Sequence, residues 1–399
     1  MKKNIMECFS IRDVILDGID SGESISLKIR GKSSYDWCPR CTLRSKKIHS
    51  KKTRKKLHCL SGKMKVFLLC TVRRFYCKRC RKPFTEYLPQ WLNGKYRYTK
   101  LFEDLVTEAL ISKSFYEVGK TYGVSAPTLL SILRRRSQKM EIPEGDLILN
   151  IDEHSFRGRD LKITVAEIRS KKILAVLENH NQITLENYFK SWPDEAKSRV
   201  LEVCIDMCQS YLSVLKEIFP KAKIVVDHFH VVKEMCQQVD DMRKIIQVDG
   251  SKGDRRINRF LLLKNKEDLT SSEIKKLKRT FKIYKKHPAL EGSYFVKEKV
   301  REMYKCKTIG EAERKLDMLI SQLEYHEVGI LREMRDTLIR WKPYILNFFV
   351  RRTTNAFMEG CNNKIKLIKR ISFGFRNFKN YALKITLAFL PFLFMNSSH

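Results

Sequence analysis

No stretch of the 399-residue sequence stays apolar for the length that a bilayer-spanning helix needs. The N-terminal MKKNIMECFSIRDVILDG likewise lacks the apolar core of a secretory leader. The nearest candidate, ITLAFLPFLFM at 385–395, is short, contains Pro391 and adjoins basic residues, so it reads as a C-terminal packing element. Internal repeats and low-complexity tracts are also missing. These absences exclude membrane-spanning, secreted and repeat-array classes. The other shortage is of acid: 45 Asp and Glu stand against 80 Lys and Arg, a formal charge of +35. The deficit is sharpest at residues 44–82, which hold sixteen Lys or Arg and no Asp or Glu. Such a surplus predicts a polyanionic partner, nucleic acid first. At 43% hydrophobic and 10% aromatic residues the chain should fold, and its length suits two or three domains.

What is present begins with twelve cysteines, which without a leader favour thiols and metal ligation over disulfides and a cytoplasmic, nucleoid-associated location. Cys38-Pro39-Arg40-Cys41 and Cys77-Lys78-Arg79-Cys80 form two C-x-x-C knuckles. Together they complete a four-cysteine structural Zn²⁺ site, as in a zinc ribbon. A redox reading needs only one pair and a βαβ setting, and neither fits. His49, His58, Cys59 and Cys70 lie between the pairs; they could substitute for a ligand, but one or two are expected simply to pack. The lysine-rich loop there is expected to meet phosphates.

Residues 1–35 read as short strands, with ISLKIRG at 25–31 the clearest alternation. Further on, FYEVGKTYGVSAPTLLSILRRR (115–136) has a short helix running into Gly123-Val124. Ser125 can cap a second helix, with Pro127 in its first turn. This is a helix–turn–helix pattern, and Arg134, Arg135 and Arg136 near the end of its second helix are candidate DNA contacts. Any αα-hairpin shares the pattern; the basic chain favours DNA. MEIPEGD (140–146) reads as a linker.

Beyond it the pattern turns to strands at 147–152, 162–168 and 172–178, then a helix, a strand at 201–206, a helix and a strand at 223–227. That α/β order is the order of the ribonuclease-H-like fold. Asp152 ends the first strand, Asp206 the fourth, and Glu359 lies on a helix near 355–370. Buried carboxylates are costly unless paired or metal-bound. Two strand-end aspartates and a helical glutamate can converge to hold Mg²⁺ (or Mn²⁺), in the two-metal arrangement that cleaves phosphodiesters. Glu153 should face away from Asp152. Asp227, closing the next strand, is an extra ligand or a supporting group; His230 behind it contacts DNA, orients a carboxylate, or is a satisfied, partly buried histidine. Residues 240–345 are helical and charged, too long for a loop and therefore a helical insertion. WKPYILNFF (341–349) should dock it on the core. Asn355, Glu359, Asn362, Asn363, Lys366 and Arg370 recur at helical i+3/i+4 spacings. Lys366, Lys369 and Arg370 are candidate phosphate contacts, and Arg376 within FGFRNF is a candidate for stacking on unpaired bases.

VCIDMCQSYLSVLKEIFPKAKIVVDHFHVVK (203–233) and NAFMEGCNNKIKLIKRISFGFRNFKNYALKI (355–385) resemble the central and C-terminal blocks of the ISL-three family of bacterial insertion-sequence transposases. The resemblance implies a zinc ribbon at 1–95, a helix–turn–helix at 96–140 and a ribonuclease-H-like DDE domain at 146–399 with its insertion. It implies Asp152, Asp206 and Glu359 as the catalytic, Mg²⁺-binding triad, DNA (terminal inverted repeats and target) as partner, and a homo-oligomer, at least a dimer when active. The chemistry implied is hydrolysis at the element ends, then attack of the freed 3′-hydroxyl on target DNA. Around 163–168 the sequence departs from the family, having Ile163-Thr164 and Glu167 in place of an aromatic-Thr pair and a strand-end Asp. Two rivals stay open on sequence: a catalytically silent, transposase-derived DNA-binding regulator, and a ribonuclease acting on RNA–DNA hybrids.

Overall fold

The computed structural model describes residues 2–92, 95–136, 141–249, 256–324 and 329–389. The chain forms two compact units, Met1–Lys139 with Ile365–His399, and Met140–Lys364.

The first unit opens with helix α1 (Lys2–Cys8), where strands were expected. Strands β1 (Val14–Ser21), β2 (Ile25–Gly31), β3 (Asp36–Trp37), β4 (Arg44–Ser45), β5 (Ile48–Ser61), β6 (Met64–Cys77) and β7 (Lys82–Thr85) follow. The main sheet has the order β1-β2-β6-β5, with β7 also on β6, and only β2/β6 is parallel. β6 alternates, burying Val66, Leu68, Cys70 and Val72 against Leu27 and Ile29. The lysine-rich stretch between the cysteine pairs, expected as a loop, belongs instead to the long β5–β6 hairpin, which turns at Gly62 in the left-handed region (φ 60°); TVRRFY (71–76), read from the sequence as strand-like, lies in β6. Its lysines are compatible with a strand because the first half of β5 is a solvated edge, where charge discourages further strand pairing.

Three helices come next: α2 (Lys100–Ser112), α3 (Phe115–Tyr122) and α4 (Ala126–Arg136). Thr99 caps α2, Ser114 and Glu117 form a capping box on α3, and Gly123 (φ 63°) ends α3 in the left-handed conformation. Phe102, Val106, Leu110, Val118, Leu129 and Ile132 form their common core.

In the second unit, Arg199 donates to the carbonyls of Pro143 (2.8 Å) and Gly145 (2.6 Å), fixing the described part of the expected linker, from residue 141 on; Met140 lies outside the described residues. The elements are β8 (Leu147–Arg157), β9 (Asp160–Glu167), β10 (Lys172–Leu177), α5 (Gln182–Lys190), α6 (Asp194–Ser198), β11 (Val200–Ile205), α7 (Gln209–Ile218) and β12 (Lys223–Val226). The sheet order is β10-β9-β8-β11-β12; the first three strands are antiparallel neighbours, and β8, β11 and β12 run parallel. Helices α8 (His228–Asp249), α9 (Arg259–Leu263), α10 (Ser271–Ile283), α11 (Pro288–Tyr304), α12 (Ile309–Leu323) and α13 (Gly329–Arg351) make up the helical segment. One apolar core runs from Leu149, Val203 and Val225 of the sheet to Trp341, Ile345 and Phe349 of α13. Asn347 of α13 also donates to the Ile224 carbonyl (2.8 Å), so this segment docks on β12. Among the described residues, no helix is long and apolar enough to cross a membrane.

Helix α14 (Ala356–Ile371) begins in the second unit and ends in the first, where α15 (Phe378–Phe389) closes the described chain. Residues 390–395 of the expected C-terminal packing element lie outside the described residues. Within the first unit, buried Lys384 of α15 donates to the Lys113 carbonyl (2.8 Å) and to Ser372 Oγ (2.7 Å).

Candidate active site and metal centre

The two cysteine knuckles meet at the end of β6. A tetrahedral Zn–S distance of about 2.3 Å requires sulfurs about 3.8 Å apart. Here Cys38 and Cys80 Sγ lie 3.9 Å apart and Cys41 and Cys77 Sγ 3.5 Å apart, with all four within 4.8 Å of one another. Thr42 (φ 56°) and Arg81 (φ 49°) each follow the second cysteine of a pair in the left-handed region, so both knuckles close the same way. The Cys80 backbone N–H points at Cys77 Sγ (3.4 Å), and this bond, aided by the neighbouring thiols, lowers the Cys77 thiol to about 6. These residues fit Zn²⁺. His58 instead bonds Thr99 and the Phe9 carbonyl, His49 stacks on Tyr76, and Cys59 and Cys70 lie in the sheet core.

In the second unit, register places the acids. Ile151, Ile205 and Val226 form one row across β8, β11 and β12. The next residues in the chain, Asp152, Asp206 and Asp227, therefore emerge together where the parallel pairing ends, the usual binding edge of such sheets; Asp152 does not end its strand as expected, because β8 runs on to Arg157 in its pairing with β9. Burial, then the nearby Asp206 charge, pushes the Asp152 carboxyl up to about 7. His230 Nδ1 stands 3.0 Å from Asp206 Oδ1 and 3.2 Å from Asp227 Oδ2. Burial disfavours its imidazolium, but the bonds to the two aspartates raise it to about 9. Asp227 is only 2% exposed. Burial opposes its charge, yet His228, His230 and the Asn355 N–H (3.2 Å) outweigh that and hold it well below the usual carboxylate range.

Asparagines complete the site. Asn362 Nδ2 donates to Asp152 Oδ2 (2.7 Å), and Asn355 Nδ2 points at Asp206 Oδ1 at 3.5 Å. Asn150 Nδ2 donates to the Thr354 carbonyl (3.1 Å) and to Asn355 Oδ1 (2.9 Å). The Asn362 Oδ1 atom is buried without a hydrogen-bond partner. Two half-buried carboxylates, Asp152 and Asp206, beside an amide oxygen with no hydrogen-bond partner suit a hard divalent cation with oxygen ligands. Glu359 is exposed on α14, one turn after Asn355 and one before Asn362. Among the described residues, the four cysteines are the one group of three or more candidate ligands with all donor atoms within 4.8 Å; Asp152, Asp206 and Glu359 are not gathered that closely.

A family model of ISL3-type DDE transposases, described as a transposase, matches residues 149–385, more than half of the chain. The chain belongs to the ISL3-type DDE transposase family. A second model, for the zinc finger of the IS204/IS1001/IS1096/IS1165 transposases, matches residues 34–80. The chain is similar to the transposase for insertion sequence element IS1001 of Bordetella parapertussis, 24% identical over 380 residues and 93% of each chain. It is also similar to the transposase for insertion sequence element IS1557 of Mycobacterium tuberculosis, 25% identical over 347 residues, 79% of this chain and 77% of that one.

In this transposase the three arginines of α4 differ in their surroundings. Arg135 and Arg136 make ion pairs with Glu103 and Asp104, tying α4 to α2. Arg134 points at Asn380 Oδ1 (3.4 Å). Lys366, Arg370 and Arg376 are exposed. In FGFRNF, Phe375 and Phe378 pack on Tyr381, whereas Phe373 is 86% exposed. Glu167, noted as a departure from the family pattern, is a structural carboxylate at the end of β9. It accepts from the N–H groups of Ile148, Arg169 and Ser170 and from the Ser170 hydroxyl. Glu153 accepts from the Tyr211 hydroxyl. Sequence reasoning missed Asn150 and Tyr211. Asn150 was findable, as the one polar residue inside an apolar run and two positions before Asp152, hence on the same strand face.

Proposed function

We propose that this transposase cuts phosphodiester bonds at the terminal inverted repeats of its insertion sequence and joins the freed ends to target DNA, with Asp152, Asp206 and Glu359 as Mg²⁺ (or Mn²⁺) ligands. The observation that carries the reading is the single register row from which Asp152, Asp206 and Asp227 emerge. The sheet order, with three antiparallel strands first and two further parallel strands, supports a ribonuclease-H-like domain with a helical insertion. Bound metal supplies an activated oxygen nucleophile and neutralises charge on the leaving oxygen.

The chain's own residues do the rest. Asp152 and Asp206 present oxygens at the sheet edge, and His230 stands between Asp206 and Asp227, whose carboxylates favour its protonated form. In the first reaction water attacks the phosphorus and the 3′-oxygen leaves with a proton. In the second, that 3′-hydroxyl attacks a target phosphodiester and displaces a target 3′-oxygen. The α3–turn–α4 pair reads as a helix–turn–helix; with the zinc ribbon it would recognise the repeats, Arg134 reaching DNA from α4 and Lys366, Arg370 and Arg376 meeting phosphates or bases. A homo-oligomer in the bacterial cytoplasm, associated with the nucleoid, completes the proposal.

The test is cleavage of a labelled duplex carrying the flanking inverted repeat, with Mg²⁺ or Mn²⁺, comparing wild type with Asp206→Asn. Metal-dependent nicking at the repeat boundary, lost in the variant, is the expected result. Repeat binding without cleavage in either protein would make the chain a DNA-binding regulator.

A further inference from the structure

The geometry points to Asn355 and Asn362 as positioning residues that latch α14 onto Asp152, Asp206 and Asp227, one helical turn on either side of Glu359. The inference rests on the reading of Glu359 as the third carboxylate, but the latch itself stands on contacts that do not involve Glu359.

Asn355 precedes the first residue of α14 and is 4% exposed. Its carbonyl accepts the Glu359 N–H (2.9 Å), the first turn of the helix. Its own N–H donates to Asp227 Oδ1 (3.2 Å), its Nδ2 points at Asp206 Oδ1 (3.5 Å), and its Oδ1 accepts from Asn150 Nδ2 (2.9 Å). One residue thus ties the start of α14 to all three parallel strands, within β8 and just past the ends of β11 and β12. Asn362, 7% exposed, closes the other side through its 2.7 Å bond to Asp152 Oδ2. A bond from an amide to a carboxylate is charge-assisted, stronger than a neutral one and directional. Two such anchors, seven residues apart on one face, fix both the rotation and the axial position of the helix. Glu359 sits between them, three residues before Asn362 and four after Asn355. Met358 and Cys361 are buried, so packing can keep α14 folded when one amide is removed. Apolar packing alone leaves a helix free to slide or roll slightly. A misplacement of about 1 Å can lower a rate about a hundredfold.

Substitution at Asn362 separates the roles. Asn362→Asp keeps the shape but replaces the donor with an acceptor facing Asp152, whereas Asn362→Ala removes the contact. The primary readout is hydrogen exchange of the full-length, zinc-loaded protein at pH 8 without added Mg²⁺ or Mn²⁺, followed on fragments covering 356–364 and on β8, β11 and β12. We expect both variants to exchange about tenfold faster in 356–364, the loss of one charge-assisted bond, with the strands unchanged. We also expect repeat cleavage to fall between about ten- and a hundredfold at unchanged repeat affinity. Wild-type exchange in Asn362→Asp would overturn the latch, since packing alone would then hold the helix. Faster exchange throughout the sheet would overturn it too, because Asn362 would then be a general stability residue. Glu359→Gln serves as the control: abolished cleavage with wild-type exchange supports both readings. Persistent cleavage in that variant would sink the triad assignment while the exchange result still decides the latch.

Discussion

Asp152 and His230 carry the charge balance of the carboxylate edge, and both bind protons more tightly in the folded chain than in the unfolded one. Asp152 is pushed up to about 7 by burial and Asp206. His230 rises to about 9, the bonds to Asp206 and Asp227 exceeding the opposing effect of burial. Unfolded values are about 3.9 and 6.5. The stability each contributes is complete below its unfolded value and is lost as pH rises through its folded value. For Asp152 that window is about pH 4 to 7, and for His230 about 6.5 to 9. Asp227 behaves oppositely, its contribution vanishing only in acid. We therefore expect the thermal midpoint of the zinc-loaded protein, without added Mg²⁺ or Mn²⁺, to fall between pH 6 and 9. His230→Gln should flatten the part above pH 7. A midpoint that climbs across the interval would contradict this charge arrangement.

Elements were legible where burial follows a period. The sequence placed the five strands of the second unit within a few residues of their observed starts, because each is an apolar run bounded by polar turns. β5 was not legible, since an edge strand with lysines on its solvated half has no apolar alternation to read. Asp206 and Asp227, each just past its strand, could be read locally, whereas Asp152 proved to lie inside β8. The amides that hold them could not, because Asn150 and Asn355 are 205 residues apart and their meeting depends on the whole sheet and helix. Glu167 illustrates the same limit: its departure from the family pattern is explained only by the four donors it satisfies at the end of β9. Glu167→Ala leaves those donors without their acceptor, which should cost about 1–3 kcal/mol and lower the thermal midpoint. Cleavage per folded molecule should stay near wild type, and a large loss of cleavage without a stability change would assign Glu167 to the chemistry instead. The zinc ribbon gives a second check at this scale. We expect one zinc per chain, released to a chromogenic chelator as its four thiols are titrated, and a reduced zinc content in Cys77→Ser.

Across the whole molecule the excess of 35 positive charges has to meet polyanion, and the chain separates its cations into two groups. Some are already spent inside the fold. Arg135 is paired with Glu103, which is 2% exposed, and Arg73 bonds the buried Glu86. Others stand in solvent, among them Lys51 and Lys52 on the open half of β5. Each exposed cation that contacts a phosphate releases a counterion, so log K falls with log salt by about 0.9 per contact. We expect repeat binding to weaken steeply, by about a thousandfold or more, between 50 and 200 mM salt if six or more phosphates are contacted. Lys51→Ala with Lys52→Ala should then reduce the salt slope by about two while leaving the thermal midpoint unchanged. Arg135→Ala should do the reverse, lowering the midpoint because Glu103 is left buried and unpaired. Equal slopes in wild type and the double lysine variant would remove the β5 edge from the DNA interface and leave its charge as a guard against strand pairing.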